Sequence, residues 1–261
     1  MSDILKVAAL QLDIVPGDKS ANIAMASELL GTLPEGYDIA VLPEMFTTGF
    51  ICEPQQATML AEPVDGMTIS TLKRMSAESR IALCGSYIAR DNEAVYNRAF
   101  FIEPSGDTYF YDKRHLFSIS GEDRAYCRGD KPVPVFRFRG WNIAIAVCFD
   151  LRFPAWLRNN RETYDLMIVM ANWPDSRAYA WEHLLIARAI ENQSYVIGCN
   201  RSGNDNYGEY SGTSVIIDAK GISIEEKSSD YIVTATLSKE SLSAFRQKFP
   251  VLSESDRFDI I

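Results

Sequence analysis

Four residues able to do chemistry each stand directly after an apolar, strand-like run. Asp38-Ile39-Ala40-Val41-Leu42 leads into Pro43-Glu44, and Tyr109-Phe110-Tyr111 leads into Asp112-Lys113. Trp141 to Val147 runs into Cys148-Phe149-Asp150, and Leu166 to Met170 into Ala171-Asn172-Trp173. In α/β sheets, ligands bind outside the carboxyl ends of the strands, where loops converge on roots that the sheet fixes. A carboxylate, an ammonium, a thiol and an amide delivered to such an edge supply a base, an electrophile stabiliser and a nucleophile. Those are the parts of an acyl-transfer site.

Each residue also has an ordinary reading. Most lysines and glutamates are simply solvated, and most cysteines are inert core. Cys84 in IALCGSY and Cys199 in YVIGCN are read as core. Cys148 differs because the apolar IAIAV changes to FDLRFP around it, where a strand is expected to end and a helix to begin. Backbone N–H groups at a helix N-terminus would favour a thiolate there, and later an oxyanion.

The elements that must hold these residues are interleaved along the chain, with no fixed-period repeat and no Ser/Gly/Pro-rich linker. Strands are expected at Lys6 to Leu12, Tyr37 to Leu42, Ile81 to Ala89, Val95 to Ile102 and Thr108 to Tyr111. Val133 to Phe138 and Trp141 to Val147 read as a hairpin turning at Arg139-Gly140. Leu166 to Met170, Tyr195 to Cys199, Ser214 to Ile217, Ile222 to Ile224 and Ile232 to Leu237 read as later strands. Helices are expected from Asp18, Gly66, Ala178 and Ser238, with Asp18 and Ser238 as N-caps. The pattern implies one layered α/β domain over residues 1–261.

The 26 Lys+Arg against 35 Asp+Glu leave a formal net charge of −9. That charge disfavours nucleic acid and anionic membrane surfaces as partners. No apolar run approaches the roughly 20 residues of a membrane-spanning helix, and the start lacks a secretory-signal pattern, so a cytoplasmic location is expected. Five widely spaced cysteines without a CxxC pair argue against a disulfide framework or a zinc site. With only His115 and His183, no metal site and no cofactor are expected.

The segments VLPEMF, YDKRHLF and AVCFDLRFP, in that order, resemble the nitrilase superfamily of carbon–nitrogen hydrolases, and the likeness runs over essentially the whole chain. PEMFTTGF, DKRHLF, ANWP and WEHLLIARAIENQSYV are most similar to its bacterial ω-amidase branch, which hydrolyses the terminal amide of 2-oxo acids such as 2-oxoglutaramate. The resemblance implies a four-layer αββα sandwich and a homodimer formed by helix packing. It implies Glu44, Lys113 and Cys148 as catalytic residues, with Glu122 in SISGEDRAY as a second glutamate. Arg152 matches a family arginine, to be read as a substrate contact or as half of a buried ion pair.

In the reaction expected of these residues, Glu44 takes the Cys148 proton, because enclosure raises a carboxyl's pKa and brings base and thiol closer. The thiolate attacks the amide of a small-molecule substrate, and Lys113 with the Phe149 backbone N–H stabilises the oxyanion. Ammonia leaves, and water releases the acid from a thioester. Glu122 would orient the amide or the water. Asn172 would position the amide or simply satisfy loop backbone, and Phe46, Phe117 and Trp173 are pocket walls or ordinary core. The segment 118–130 reads either as a lid or as a static loop. Competing readings are an amidase for N-carbamoyl amino acids, aliphatic amides or deaminated peptides, a true nitrilase, and a scaffold without activity. An activated Cys148 should label faster than Cys84 or Cys199, whereas a scaffold would show no such contrast.

Overall fold

The structure is a computed structural model and describes residues 3–160, 162–256 and 258–260. In chain order the strands are β1 (Ile4–Leu10), β2 (Ile39–Val41), β3 (Ala82–Asp91), β4 (Ala94–Ile102), β5 (Thr108–Asp112), β6 (Val135–Phe138) and β7 (Trp141–Val147). They continue as β8 (Leu166–Ala171), β9 (Tyr195–Asn200), β10 (Ser202–Asp205), β11 (Gly208–Ser211), β12 (Val215–Ile217), β13 (Glu226–Ser229) and β14 (Ile232–Ser238). The α-helices are α1 (Lys19–Thr32), α2 (Pro54–Leu60), α3 (Met67–Ser79), α4 (Glu122–Ala125), α5 (Ala178–Asn192) and α6 (Lys239–Lys248).

Among the described residues, one sheet has the order β13-β14-β1-β2-β3-β4-β5, and a second has β12-β9-β8-β7-β6. Strands β1, β2 and β3 run parallel, as do β7, β8 and β9. Side chains alternate along a strand, and here each face has its own layer to fill. Leu5, Val7 and Ala9 of β1 join Ile143, Ile145 and Val147 of β7 in the core between the sheets. Ala8 and Leu10 instead face a second core with Ala26 and Leu30 of α1 and Ile69 and Leu72 of α3. On the far side, Met167 and Val169 of β8 pack with Trp181, Leu185 and Ala189 of α5. The result is the four-layer αββα sandwich. Strands covered on both faces read as continuous apolar runs, which is why they are visible in the sequence. Fully burying each large apolar side chain contributes about 1.5–3 kcal/mol.

Asp18 caps α1 by accepting from the Ala21 N–H at 3.0 Å, and Ser238 caps α6 by accepting from the Ser241 N–H at 3.1 Å. The strand expected at Ile222 to Ile224 is instead a single bridge, Ile217 to Ser223, and the pairing strand is β13. All four β13 residues are exposed and polar, so no apolar rhythm marks them. The β10–β11 hairpin and α2 were not foreseen either. Among the described residues, no helix is long and apolar enough to cross a membrane.

Candidate active site

Glu44 lies just beyond β2, where Leu42 still pairs with Cys84 (N–H to O, 2.7 Å). Met45 then takes φ 43°, a left-handed conformation that reverses the chain, and its N–H donates to Ser86 Oγ at 2.8 Å. The turn drives the Glu44 carboxylate inward, to 0% exposure. Lys113 follows β5, opposite Asn97 of β4, whose carbonyl accepts its N–H at 3.0 Å. The Lys113 carbonyl accepts from Gly129 at 3.0 Å. A Cβ at Gly129 would stand 2.0 Å from the Asp112 carbonyl oxygen, so only glycine lets the chain pass this close.

These turns produce a buried charge cluster. Lys113 Nζ donates to Glu44 Oε1 at 2.9 Å and to both Glu122 carboxylate oxygens at 2.9 Å. Asn97 Nδ2 donates to Glu44 at 2.7 Å and to Glu122 at 3.2 Å, while Asn97 Oδ1 accepts from Ser86 Oγ at 2.9 Å. The Phe117 N–H donates to Glu122 at 2.6 Å, and the Asn172 N–H donates to Glu44 Oε2 at 2.9 Å. Lys113 is 1% exposed and Glu122 0%. Buried carboxylates persist only when paired and hydrogen-bonded, and here both carboxylates are. Asn97 was missed in the sequence, although a polar pair in the middle of the buried run AVYNRAFFI was a usable signal.

Cys148 ends β7, beside the end of β8, because Val147 pairs with Met170. The helix expected after β7 does begin here, as a short 3-10 helix rather than an α-helix. Residues Cys148–Arg152 make a five-residue 3-10 turn, and Pro154 disfavours helical geometry at Phe153. Cys148 itself has φ 45°, a strained position for a non-glycine residue that costs on the order of 1–3 kcal/mol. The strain is held by Asp150, which is buried and accepts from the Val147 N–H (3.2 Å), the His115 N–H (3.0 Å) and Tyr111 OH (2.9 Å). His115 Nδ1 also bonds Asp150 at 2.8 Å, and its ring stacks on Phe153 at 3.7 Å. Asp150 thus ties the turn carrying the sulfur to the segment carrying Lys113. This brace was not read from the sequence.

Cys148, Lys113, Phe149, Arg152, Asn172 and Trp173 line one cavity of about 100 Å³, joined by Phe50, Phe117, Arg177, Tyr207 and Tyr210. Tyr207 and Tyr210 arrive on the β10–β11 hairpin, a stretch to which the sequence pattern assigned no element. Phe46 is not a wall; it packs in the core against Phe100 at 6.1 Å. Arg114 bonds the Gly129 carbonyl and does not line the cavity. Arg152 is exposed, with its guanidinium 5.0 Å over Trp173, so it is no buried ion pair. The Asn172 amide donates to the Glu44 carbonyl at 2.7 Å, and its Oδ1 is buried with no partner among the described residues. The 118–130 segment is tied down by Glu122, by Tyr126 OH donating to the Ile51 carbonyl at 2.6 Å, and by the Cys127 N–H on Val95.

Burial holds the Cys148 thiol well above the usual thiol range; the Glu44 charge adds to this and Lys113 opposes it. The free protein therefore carries a neutral thiol, contrary to the thiolate expected at a helix end. Burial would lower the Lys113 ammonium, but Glu122 and Glu44 outweigh it and hold it well above its ordinary value. Burial also raises Glu122, with Lys113 pulling it back. In Glu44→Gln, losing a negative charge beside the sulfur lowers the Cys148 pKa. The rate of iodoacetamide labelling against pH, compared with wild type, checks this; a profile that stays in place or moves to higher pH contradicts it.

A carbon–nitrogen hydrolase family model matches residues 6–247. The chain belongs to that family. This carbon–nitrogen hydrolase is therefore an enzyme acting on C–N bonds of amides. It is 42% identical over 257 residues to Omega-amidase YafV of Yersinia enterocolitica, covering 97% of this chain and 98% of that one. It is 31% identical to the 2-oxoglutaramate amidase of Bacillus subtilis, covering 95% and 96%. The crystal structure of XC1258 from Xanthomonas campestris, a CN-hydrolase superfamily protein with an arsenic adduct in the active site, superposes with a TM-score of 0.92. That pair shares 35% identity, with 100% of each chain covered.

Proposed function

We propose that this carbon–nitrogen hydrolase is an ω-amidase that hydrolyses the terminal amide of 2-oxo acids such as 2-oxoglutaramate, with Cys148 as nucleophile. The observation that carries this is the meeting of thiol and ammonium at one small cavity, with the buried Glu44 carboxylate against both, in a chain 42% identical to an ω-amidase. The thiol is neutral at rest, so attack and proton transfer are coupled: Glu44 accepts the proton as the Cys148 sulfur closes on the carbonyl carbon. Lys113 and the Phe149 N–H stabilise the oxyanion. The C–N bond breaks, Glu44 returns the proton to the departing ammonia, and a thioester remains. Water attacks the thioester with Glu44 again as base, releasing the acid and restoring the thiol. Glu122 holds Lys113 from the far side and orients the amide. The unpartnered Asn172 Oδ1 accepts from the amide NH₂, and Trp173 and Arg152 contact the rest of the substrate.

The whole chain, 1–261, would work as one domain, in the cytoplasm and as a homodimer. Exposed Tyr179 and Ile190 on α5 supply apolar surface for helix packing. The test is a panel of 2-oxoglutaramate, an N-carbamoyl amino acid, an aliphatic amide and a deaminated peptide, read as ammonia release. The 2-oxo acid amide should lead in kcat/KM by about 10²-fold, with an acyl mass on Cys148 by mass spectrometry. A lead for the N-carbamoyl substrate would replace this reading with the carbamoylase one.

A further inference from the structure

One wall of the cavity stands on the β10–β11 hairpin, a two-stranded ribbon outside both main sheets. A lone hairpin is marginally stable in water, yet this one carries two tyrosines of the cavity lining. Its base is anchored on both sides. The Ser202 N–H donates to the Leu12 carbonyl at 2.9 Å, and the Ser211 N–H and hydroxyl donate to Asp175 at 3.0 and 2.8 Å. The tip is less protected. Asp205 pairs with Gly208, so Asn206 and Tyr207 form the turn, and Tyr207 is 46% exposed.

What fixes the tip is one carboxylate. Asp205 Oδ1 accepts from the Tyr207 N–H at 2.8 Å and from the Tyr210 hydroxyl at 3.0 Å. Its other oxygen accepts from Arg201 Nη1 at 2.9 Å. Arg201 is fully buried, and its remaining nitrogens donate to the carbonyls of Ser202 at 3.0 Å and Ile14 at 2.9 Å. Its guanidinium also lies 4.6 Å over the Tyr210 ring. The contacts thus run from the loop after β1, through Arg201 and Asp205, to both tyrosines. Tyr207 stands edge-on to Phe50 at 5.3 Å. These two rings line the catalytic cavity and also a second cavity of about 310 Å³, to which Asp205 itself belongs.

We propose that Asp205 is a positioning residue that sets the width of the catalytic cavity, holding Tyr207 and Tyr210 as a closed partition against the neighbouring cavity. Asp205 lines the second cavity and not the first, so it acts through the tyrosines. With the partition closed, the space beside Cys148 is about 100 Å³ and takes a slender acyl chain. Without the carboxylate, the turn loses its acceptor, the Tyr210 hydroxyl loses its partner, and the two cavities join. The inference rests on the reading of this cavity as an amidase site.

The experiment compares wild type with Asp205→Ala and with Tyr210→Phe, which removes only the hydroxyl that Asp205 holds. Arg246→Lys serves as a destabilised control, because it weakens a buried ion pair with Asp165, at the end of β8 away from Cys148. Two ratios are measured. One is kcat/KM for 3-phenylpropanamide over that for 2-oxoglutaramate. The other is the rate of Cys148 alkylation by N-phenylmaleimide over that by the smaller iodoacetamide, counted on the Cys148 peptide by mass spectrometry. Asp205→Ala should raise KM for 2-oxoglutaramate more than it lowers kcat, and should raise both ratios about tenfold. Tyr210→Phe should move both the same way by less. Arg246→Lys should lower the melting temperature and leave both ratios at their wild-type values. Unchanged ratios in Asp205→Ala, or an equal rise in Arg246→Lys, would overturn the positioning role and make Asp205 a structural residue only. Should Asp205→Ala fail to fold, wild-type ratios in Tyr210→Phe would overturn it instead. A wild type inactive on 2-oxoglutaramate would overturn the ω-amidase reading, and the alkylation ratio would still decide the role of Asp205.

Discussion

Cys148→Ala loses turnover by on the order of 10⁴-fold or more, while keeping its fold and its affinity for substrate. The chemistry has no substitute for the sulfur: Cys84 and Cys199 are buried in the core between the sheets, away from the cavity. The fold survives because alanine retains the Cβ and the same strained φ of 45°, and the groups that enforce that turn are backbone atoms and Asp150 rather than the thiol. Glu44 and Lys113 remain paired at 2.9 Å in its absence. Ammonia release, thermal unfolding and glutarate binding by calorimetry are the measurements. Turnover within tenfold of wild type would remove Cys148 from the reaction, and a collapse in melting temperature would mean that the thiol is structural.

The layered fold was legible because its strands are covered on both faces and so appear as unbroken apolar runs. The ends of those runs mark Glu44, Lys113, Cys148 and Asn172 in the sequence. What was not legible came from elements without apolar rhythm. The β10–β11 hairpin brings Tyr207 and Tyr210 to the cavity across a long stretch of sequence, and β13 is wholly exposed. The geometry at the sulfur departs from expectation for a different reason. FDLRFP does start a helix, but the Asp150 carboxylate captures the Val147 N–H, and Pro154 ends it as a 3-10 turn after five residues. Asn97 escaped because its function is to bond two carboxylates that are far from it in sequence.

Correcting the geometry also corrects the electrostatics. An α-helix end would have stabilised a thiolate in the resting protein, whereas burial and Glu44 keep the thiol protonated. A neutral thiol beside a carboxylate spares the resting protein a third buried negative charge beside Glu44 and Glu122. The nucleophile forms only as the proton moves to Glu44. Rapid labelling of free Cys148 is accordingly a poor sign of activity, and acyl transfer from a substrate is the better one.

Lys113→Met should damage both rate and stability, and the two losses have one cause. The ammonium is the shared partner of two carboxylates that are fully buried. Methionine fills similar volume but leaves Glu44 and Glu122 facing each other across Asn97 with no cation, and stranding buried charge in this way costs about 3–5 kcal/mol. Lys113 now lowers Glu122, so its loss drives that carboxyl further up and leaves it protonated over a wider pH range. A carboxyl whose folded pKa lies above its unfolded value binds more protons in the folded state. The contribution of this carboxyl to the variant's stability is therefore fully present below the unfolded value of 4.5 and is lost as pH rises through the elevated folded one. Wild type should show a weaker form of the same slope. Lys113 also draws the Cys148 thiol downward, so its loss makes the nucleophile harder to form as well as removing an oxyanion donor. The donor alone is worth about 10²–10³ in kcat, with KM changing less because the charge acts mainly on the transition state. Steady-state kinetics together with melting curves from pH 4 to pH 8 separate the possibilities. A rise in KM at unchanged kcat would make Lys113 a substrate anchor, and a pH-independent melting temperature would mean that the two carboxylates are not held by its charge.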